Sequence, residues 1–393
     1  MDILTFLFWF SLAILFYGYA GYGLLVYFLN NIRVLFVKKR IPPAGEWPAL
    51  ALVIAAYNEE AVLEQKIINS LALDYPPGRL RIVVVTDGSD DRSADKVRKF
   101  PAVQLLHQPE REGKYAAIKR AMCQVWEPVV VFSDANCMLN PESLKKMVEH
   151  YSDPDVGGVA GEKKILRNHF ASAVGEAEGI YWQYESFMKR MDAELYTVTG
   201  ASGELFSIRS ELFRSLDREV ILDDFVISMQ VCLQGYRIEY EPDAFATESP
   251  SASLAEEEKR KIRISSGAFQ SLAYLKGCLN FFRHPMLAFQ FFSRRLLRWV
   301  GCPLALGVLL VTNILLVIGI RGHWYNTFLL LQGLFYLFAL FGWFYIRSGK
   351  RAGLFTIPFY FVFMNYCLVR GWIRFARKKQ TALWEKSLRQ ALE

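Results

Sequence analysis

Asp87, Asp134 and Asp224 sit in a long polar stretch that hydrophobic stretches bracket at residues 3–29 and 299–375. Such carboxylates suit water and a ligand rather than a bilayer. Two of them follow short apolar runs. Leu80 to Thr86 leads into Asp87-Gly88-Ser89-Asp90-Asp91, and Val129 to Ser133 leads into Asp134-Ala135-Asn136. Before them, residues 49–56 lead into Tyr57-Asn58-Glu59-Glu60. Singly, clusters of this kind are turns or helix caps. Three in order at successive strand ends describe a ligand site, because loops converge at the carboxyl ends of strands in an α/β sheet. No GxGxxG follows the first run and no GxxxxGK[ST] occurs, which disfavours a dinucleotide fold and leaves P-loop ATP hydrolysis unsupported. A ligand here must be held mainly by carboxylates, a metal and cationic groups.

The elements that position these clusters alternate. Helical patterns through Leu71, over Ala94 to Phe100 and over 115–125 separate the runs, with a further strand at Val103 to Leu106. This alternation predicts an α/β domain with a mostly parallel central sheet covered on both faces. The flanking stretches belong to a membrane. Residues 3–29 carry no charge and exceed the ~20 residues that a bilayer core requires. They end at Arg33, Lys38, Lys39 and Arg40, which places the N-terminus outside and the polar domain in the cytoplasm. Residues 299–320 and 324–346 are each long enough to span, and a third stretch at 352–369 is interrupted by Pro358 and Asn365. Four simple spans would put Arg370, Arg374, Arg377, Lys378 and Lys379 outside, against the charge rule. Either the last stretch re-enters or lies in the interface, or residues 268–292 add a passage. The expected division is a transmembrane helix at 1–36, a catalytic domain at 37–264, interfacial helices at 265–298, two to three spans at 299–375 and a tail at 376–393.

A hydrophobic content of 53% in 393 residues is high for a soluble enzyme and ordinary for a membrane protein with one large polar domain. The net charge of +7 gathers beside the apolar segments, where it meets anionic headgroups and not nucleic acid. The six cysteines show neither pairing nor metal spacing and read as reduced packing residues.

In order and spacing, VIAAYNEE at 53–60, TDGSDD at 86–91, EGKYAAI at 112–118, SDAN at 133–136, TGASGELFSIR at 199–209, LDDF at 222–225 and RKIRI at 260–264 form a set. The set is similar to that of membrane-bound family-2 glycosyltransferases of the GT-A fold, which include cellulose, hyaluronan, chitin and poly-N-acetylglucosamine synthases. The resemblance implies a nucleotide-sugar held by Ala56, Tyr57, Glu59, Asp87, Lys114 and Asp134. It implies a divalent cation, Mg²⁺ or Mn²⁺, on Asp134 and Asn136, with an amide where the family has a second carboxylate. Asp224 falls where the family has its general base, a carboxylate that takes the proton of the incoming hydroxyl. Arg260 and Arg263 fall where the family has QxxRW, with Ile264 in place of Trp, and two arginines on one turn can clamp a departing diphosphate. Asp223 is expected near the helix cap and turned away from Asp224.

For the acceptor, Tyr181 and Trp182 in a helix over 168–190 either stack on a sugar or pack against the sheet. Gly203, in Thr199-Gly200-Ala201-Ser202-Gly203, either admits the acceptor close to backbone or turns beneath the cleft. Residues 265–298 have the pattern of helices lying in the headgroup plane. The expected function is inverting transfer from a UDP-sugar to an exported or cell-surface polysaccharide. Its rivals are single transfer to a membrane lipid, such as a polyprenyl phosphate or a glycolipid, and a non-catalytic scaffold. The expected setting is a bacterial inner (plasma) membrane, with a second copy or an export partner helping to form a channel.

Overall fold

The computed structural model describes residues 3–36, 46–165, 173–217, 219–319, 322–379, 381 and 383. The Lys38 to Arg40 cluster and most of the 376–393 tail lie outside the described residues.

Eight strands form one sheet: β1 (Leu50–Ala56), β2 (Leu80–Asp87), β3 (Val103–Gln108), β4 (Val129–Asp134), β5 (Met138–Leu139), β6 (Val156–Ile165), β7 (Phe206–Arg209) and β8 (Arg237–Glu248). Their order is β3-β2-β1-β4-β7-β6-β8-β5. The first four pair in parallel, as the alternation predicts. Beyond β4 the sheet is mixed: β7 runs antiparallel to β4 and β6, β8 is parallel to β6, and β5 is antiparallel to β8. β1 is buried along its whole length. Its alternate residues feed two cores, Ala51, Val53 and Ala55 on one face and Leu50, Leu52 and Ile54 on the other. A strand covered on both faces needs a continuous apolar run, which this one is.

Four helical stretches are long and apolar enough to cross a membrane: Ile3–Val34, Pro285–Gly319, His323–Arg347 and Gly353–Ala376. The first two contain π-helical turns, Tyr17–Gly21 and Phe292–Gly301, and meet where the Tyr17 hydroxyl lies 2.9 Å from Ser293 Oγ.

The Thr356–Ala376 helix has an unexpected neighbour, the charged Leu254–Tyr274 helix that carries Arg260 and Arg263. Tyr360 donates to Glu257 Oε1 at 3.2 Å and Tyr366 donates to Glu258 Oε1 at 3.3 Å. A Cβ at Gly371 would collide with Ser265, and Phe375 stacks on Phe269 with centroids 6.4 Å apart. These contacts run in the same order along both helices, so the two lie parallel. The Leu254–Tyr274 helix is continuous across position 264, where the interfacial segment was expected to begin. It is pinned to the polar domain by Gln270, which accepts from the Ile221 N–H at 3.0 Å. Residues 285–292 open the apolar stretch Pro285–Gly319, and among the described residues no separate candidate span lies within 268–284.

Candidate active site

Asp87 ends β2 with no exposed area. Its carboxylate accepts from the Glu112 N–H at 3.1 Å, from the Gly113 N–H at 2.7 Å and from Arg120 Nη2 at 3.0 Å. That grip sets the turn into the Lys114–Met122 helix, and Gly113 makes the turn at a φ of 101°, in the left-handed region that favours glycine. Asp87 does not line the cavity, and neither does Ala56. Asp87 acts on it through the Lys114 turn, and Ala56 lies between the lining residues Ala55 and Tyr57.

The turn aims Lys114 into a cavity of about 310 Å³ that Tyr57, Glu59, Asp134, Asn136, Tyr181, Trp182, Gly203, Asp224, Arg260 and Arg263 also line. Lys114 Nζ lies 2.6 Å from Asp134 Oδ1 and 3.4 Å from Asp223 Oδ2. Gly203 faces the same point. A Cβ there would stand 3.0 Å from Lys114 Nζ, 3.4 Å from Asp224 Oδ2 and 3.5 Å from Asp134 Oδ2. Burial works against the Lys114 charge, but Asp134, Asp223 and Asp224 outweigh it and hold the ammonium protonated, its pKa above the usual lysine range.

The Asp223–Leu233 helix presents both of its first residues to the cavity. Asp223 was expected to turn away; it faces Lys114 instead, and neither aspartate bonds to the N–H groups of the following turn in the manner of a cap. Asp224 Oδ1 accepts from the Phe225 N–H at 2.8 Å. Burial, then the neighbouring Asp223 charge, pushes the Asp224 carboxyl up to about 7, against the pull of Lys114 and the Phe225 N–H. A carboxylate poised near neutrality is what a general base needs.

The two expected arginines differ. Arg260 is committed: its Nη2 lies 2.6 Å from Glu178 Oε1 and its Nε donates to Glu257 Oε2 at 2.9 Å, all three side chains being buried. Arg263, one turn on, lines the cavity and has no ion pair among the described residues; burial lowers its pKa, with Asp223 the charge that opposes this most. Asn136 donates its amide to Glu248 Oε1 at 2.9 Å. Glu248 in turn pairs with buried Lys163, which also bonds Glu204 at 2.5 Å.

Trp182 faces three ammonium groups, with Lys163 4.8 Å, Lys189 5.7 Å and Lys261 5.8 Å from its ring centroid. Lys66 escaped the sequence reading. It has no exposed area and donates at 2.7 Å to both Ser133 Oγ and the Cys137 carbonyl. Ser133 Oγ donates on to the Glu204 carbonyl at 2.9 Å, which ties the Asp134 loop to the Gly203 loop. Burial lowers Lys66 to about 8. A lysine among the apolar positions of LEQKIINSL was the available signal.

Among the described residues no group of three or more His, Cys, Asp or Glu is arranged to hold a metal ion. The hard oxygens of Asp134 nonetheless fit a cation of the Mg²⁺ or Mn²⁺ kind, which takes one or two carboxylates and completes its shell with substrate phosphates and water.

Curated relatives include the poly-β-1,6-N-acetyl-D-glucosamine synthases of Staphylococcus aureus (strain COL) and Staphylococcus epidermidis. They are 26% and 23% identical, each alignment covering 69% of this chain and 67% of the relative. Among solved structures, the mannosyltransferase PcManGT from Pyrobaculum calidifontis, in complex with GDP-Man and Mn²⁺, aligns with a TM-score of 0.69 at 21% identity. That alignment covers 95% of this chain and all of that one, so the likeness of fold extends through the membrane helices as well as the sheet. The description "Glycosyltransferase like family 2" matches residues 48–267, more than half of the chain and every motif of the cavity. With the GT-A sheet and the strand-end carboxylates in place, the chain is a member of that family and a glycosyltransferase.

Proposed function

We propose that this enzyme transfers a sugar, with inversion, from a UDP-sugar to an acceptor delivered at the membrane, and that the acceptor is a growing exported or cell-surface polysaccharide. The observation that carries the reading is Asp224, raised to about 7 within the Lys114, Asp134 and Gly203 cluster. The acceptor hydroxyl loses its proton to Asp224 as its oxygen bonds to the sugar C1, and the C1–O bond to the diphosphate breaks. One carboxylate suffices, because the leaving diphosphate needs charge neutralisation and no proton. Arg263 and Lys114 supply part of that charge. Asp87 holds the Lys114 turn, and Arg260 braces the Leu254–Tyr274 helix against Glu178 and Glu257. A divalent cation on Asp134, with Asn136 beside it, would neutralise the diphosphate further.

The relatives named as poly-β-1,6-N-acetyl-D-glucosamine synthases support a polysaccharide product. Transfer to a membrane lipid is the second reading. It is favoured by Met364 and Leu368 of the Thr356–Ala376 helix, which wall the same cavity.

The orientation follows from charge. We infer that the Thr356–Ala376 helix, packed along the charged Leu254–Tyr274 helix, lies at the membrane surface, which would leave three crossings at Ile3–Val34, Pro285–Gly319 and His323–Arg347. Arg347, Arg370 and Arg374 then share the cytoplasmic face with the catalytic domain, as the positive-inside rule asks. Incubation of the purified protein with radiolabelled UDP-sugars tests the function, with products divided into organic-extractable lipid and size-resolved glycan. A glycan ladder that fails in EDTA is expected. A single organic-phase product moves the assignment to the lipid, and no product from any donor overturns the reading.

A further inference from the structure

Beside the carboxylate cluster, the cavity holds two cations for which the transfer step has no use. Lys189, 4% exposed, donates to Ser202 Oγ at 2.5 Å, and Arg295 donates through Nε to the Thr199 carbonyl at 2.6 Å. Both therefore grip the loop that leads into Gly203. Neither has a carboxylate in ion-pair reach among the described residues. Their neighbours are spent: Arg294 and Arg298 both bond Glu185, each at 2.7 Å, so a single carboxylate already serves two guanidinium groups.

A cation withdrawn from water without a counter-charge is costly, so an anion in the working complex would offset the burial. Arginine beside lysine suits a phosphate, the first as a planar fork and the second as a point charge. The donor diphosphate has its own cations in Lys114 and Arg263, which face Asp134, Asp223 and Asp224. The wall next to Arg295 is apolar. The Trp299 ring centroid is 5.5 Å from its guanidinium, and Met364 and Leu368 line the same cavity. Trp299 belongs to the apolar stretch Pro285–Gly319 and the other two to Gly353–Ala376. A phosphate beside a hydrocarbon wall at the membrane is the chemistry of a lipid phosphate.

We propose that Arg295 and Lys189 form a phosphate subsite for the acceptor, a saccharide linked through phosphate to a membrane lipid whose chain leaves past Trp299, Met364 and Leu368. The inference rests on the glycosyl-transfer reading and names the acceptor class for it: the phosphate anchors, and a hydroxyl of the attached sugar is the group that Asp224 deprotonates.

The test uses the full-length protein in detergent, with retention of farnesyl phosphate, farnesol and inorganic phosphate measured beside UDP binding. Farnesyl phosphate should bind, with farnesol and inorganic phosphate each at least about tenfold weaker, a factor within the range of a charged hydrogen bond. Arg295→Gln and Lys189→Gln should each weaken farnesyl phosphate about tenfold while farnesol retention and UDP affinity stay at the parent level. Arg295→Lys keeps the charge without the fork and should fall between parent and Gln variant; it also decides the case if a Gln variant unfolds. Equal retention of farnesol and farnesyl phosphate overturns the subsite, as does farnesyl phosphate binding that all three variants leave unchanged. Inorganic phosphate binding as tightly as farnesyl phosphate overturns the lipid source. Loss of UDP binding by the parent would instead strike the glycosyl-transfer reading, so the two failures are separable.

Discussion

Lys114 Nζ stands 2.6 Å from Asp134 Oδ1, as an ammonium occupying ground that a divalent cation and a diphosphate would contest. The contact makes Lys114 the counter-charge of a carboxylate cluster before any ligand arrives. Removing it should expose the repulsion. Lys114→Met is expected to lower stability by about 2 kcal/mol, the scale of hydrogen bonds to charged groups. Mn²⁺ or Mg²⁺ should recover part of that loss and raise the melting temperature of the variant more than that of the parent. Thermal unfolding in EDTA and in each metal checks this; equal metal responses in both proteins would contradict it.

Asp224 should govern the acid limb of the rate profile. Its folded pKa is raised to about 7, so it is protonated below that pH and cannot take a proton. Activity should fall roughly tenfold per pH unit as the pH drops below the limb. Asp223→Asn removes the second cause of the shift and should move the limb to lower pH, whereas Asp224→Asn should cut turnover about 10²–10⁴-fold while UDP still binds. The stability sign is opposite to that of a salt-bridged aspartate. A carboxyl whose folded pKa is raised contributes stability at low pH and loses it as pH rises through about 7, so Asp224→Asn should melt higher than the parent at pH 8. The gap should close toward pH 4. A limb unmoved by Asp223→Asn would show that another group titrates.

Asp87 should prove structural and functional at once. Asp87→Ala takes the acceptor from the Glu112 and Gly113 N–H groups and one partner from Arg120, which keeps Glu112 and the Thr86 carbonyl. The cost should be about 2 kcal/mol, the scale of buried donors left without a partner. UDP affinity should fall because the Lys114 turn loosens. Denaturant unfolding and UDP titration of the same preparation separate the effects, and a stable variant with parental UDP affinity would remove the positioning role.

Trp182 should matter to the acceptor and not to the donor. Its ring is held by the Lys163, Lys189 and Lys261 ammonium groups, and its Nε1 donates to Glu178 Oε1 at 3.4 Å. Trp182→Leu should raise the acceptor KM several-fold, in line with the ~0.5–1.5 kcal/mol of an aromatic contact, with the UDP-sugar KM unchanged. A matched rise in both constants would mean general damage to the cavity.

Much of the site was legible along the chain because parallel strands deliver their loops to one edge. Asp134 ends β4, the Lys114 turn follows β3, and the Gly203 and Asp224 loops close on the same point, so spacing and residue type foretold their convergence. The parallel half of the sheet was legible for the same reason, through apolar runs buried on both faces. What the chain could not disclose depends on partners distant in sequence. Arg260 and Arg263 look equivalent on one turn, yet Glu178 from another helix neutralises the first and leaves the second to the cavity. Asp87 reads as a nucleotide ligand along the chain, and only the fold shows that its carboxylate also accepts from the Glu112 and Gly113 N–H groups and from Arg120. The stretch at 352–369 has the hydropathy of a span, and hydropathy says nothing of the neighbours such a helix meets. Only the packing of Tyr360, Gly371 and Phe375 along a charged helix sets it beside the catalytic domain, where its side chains close the cavity.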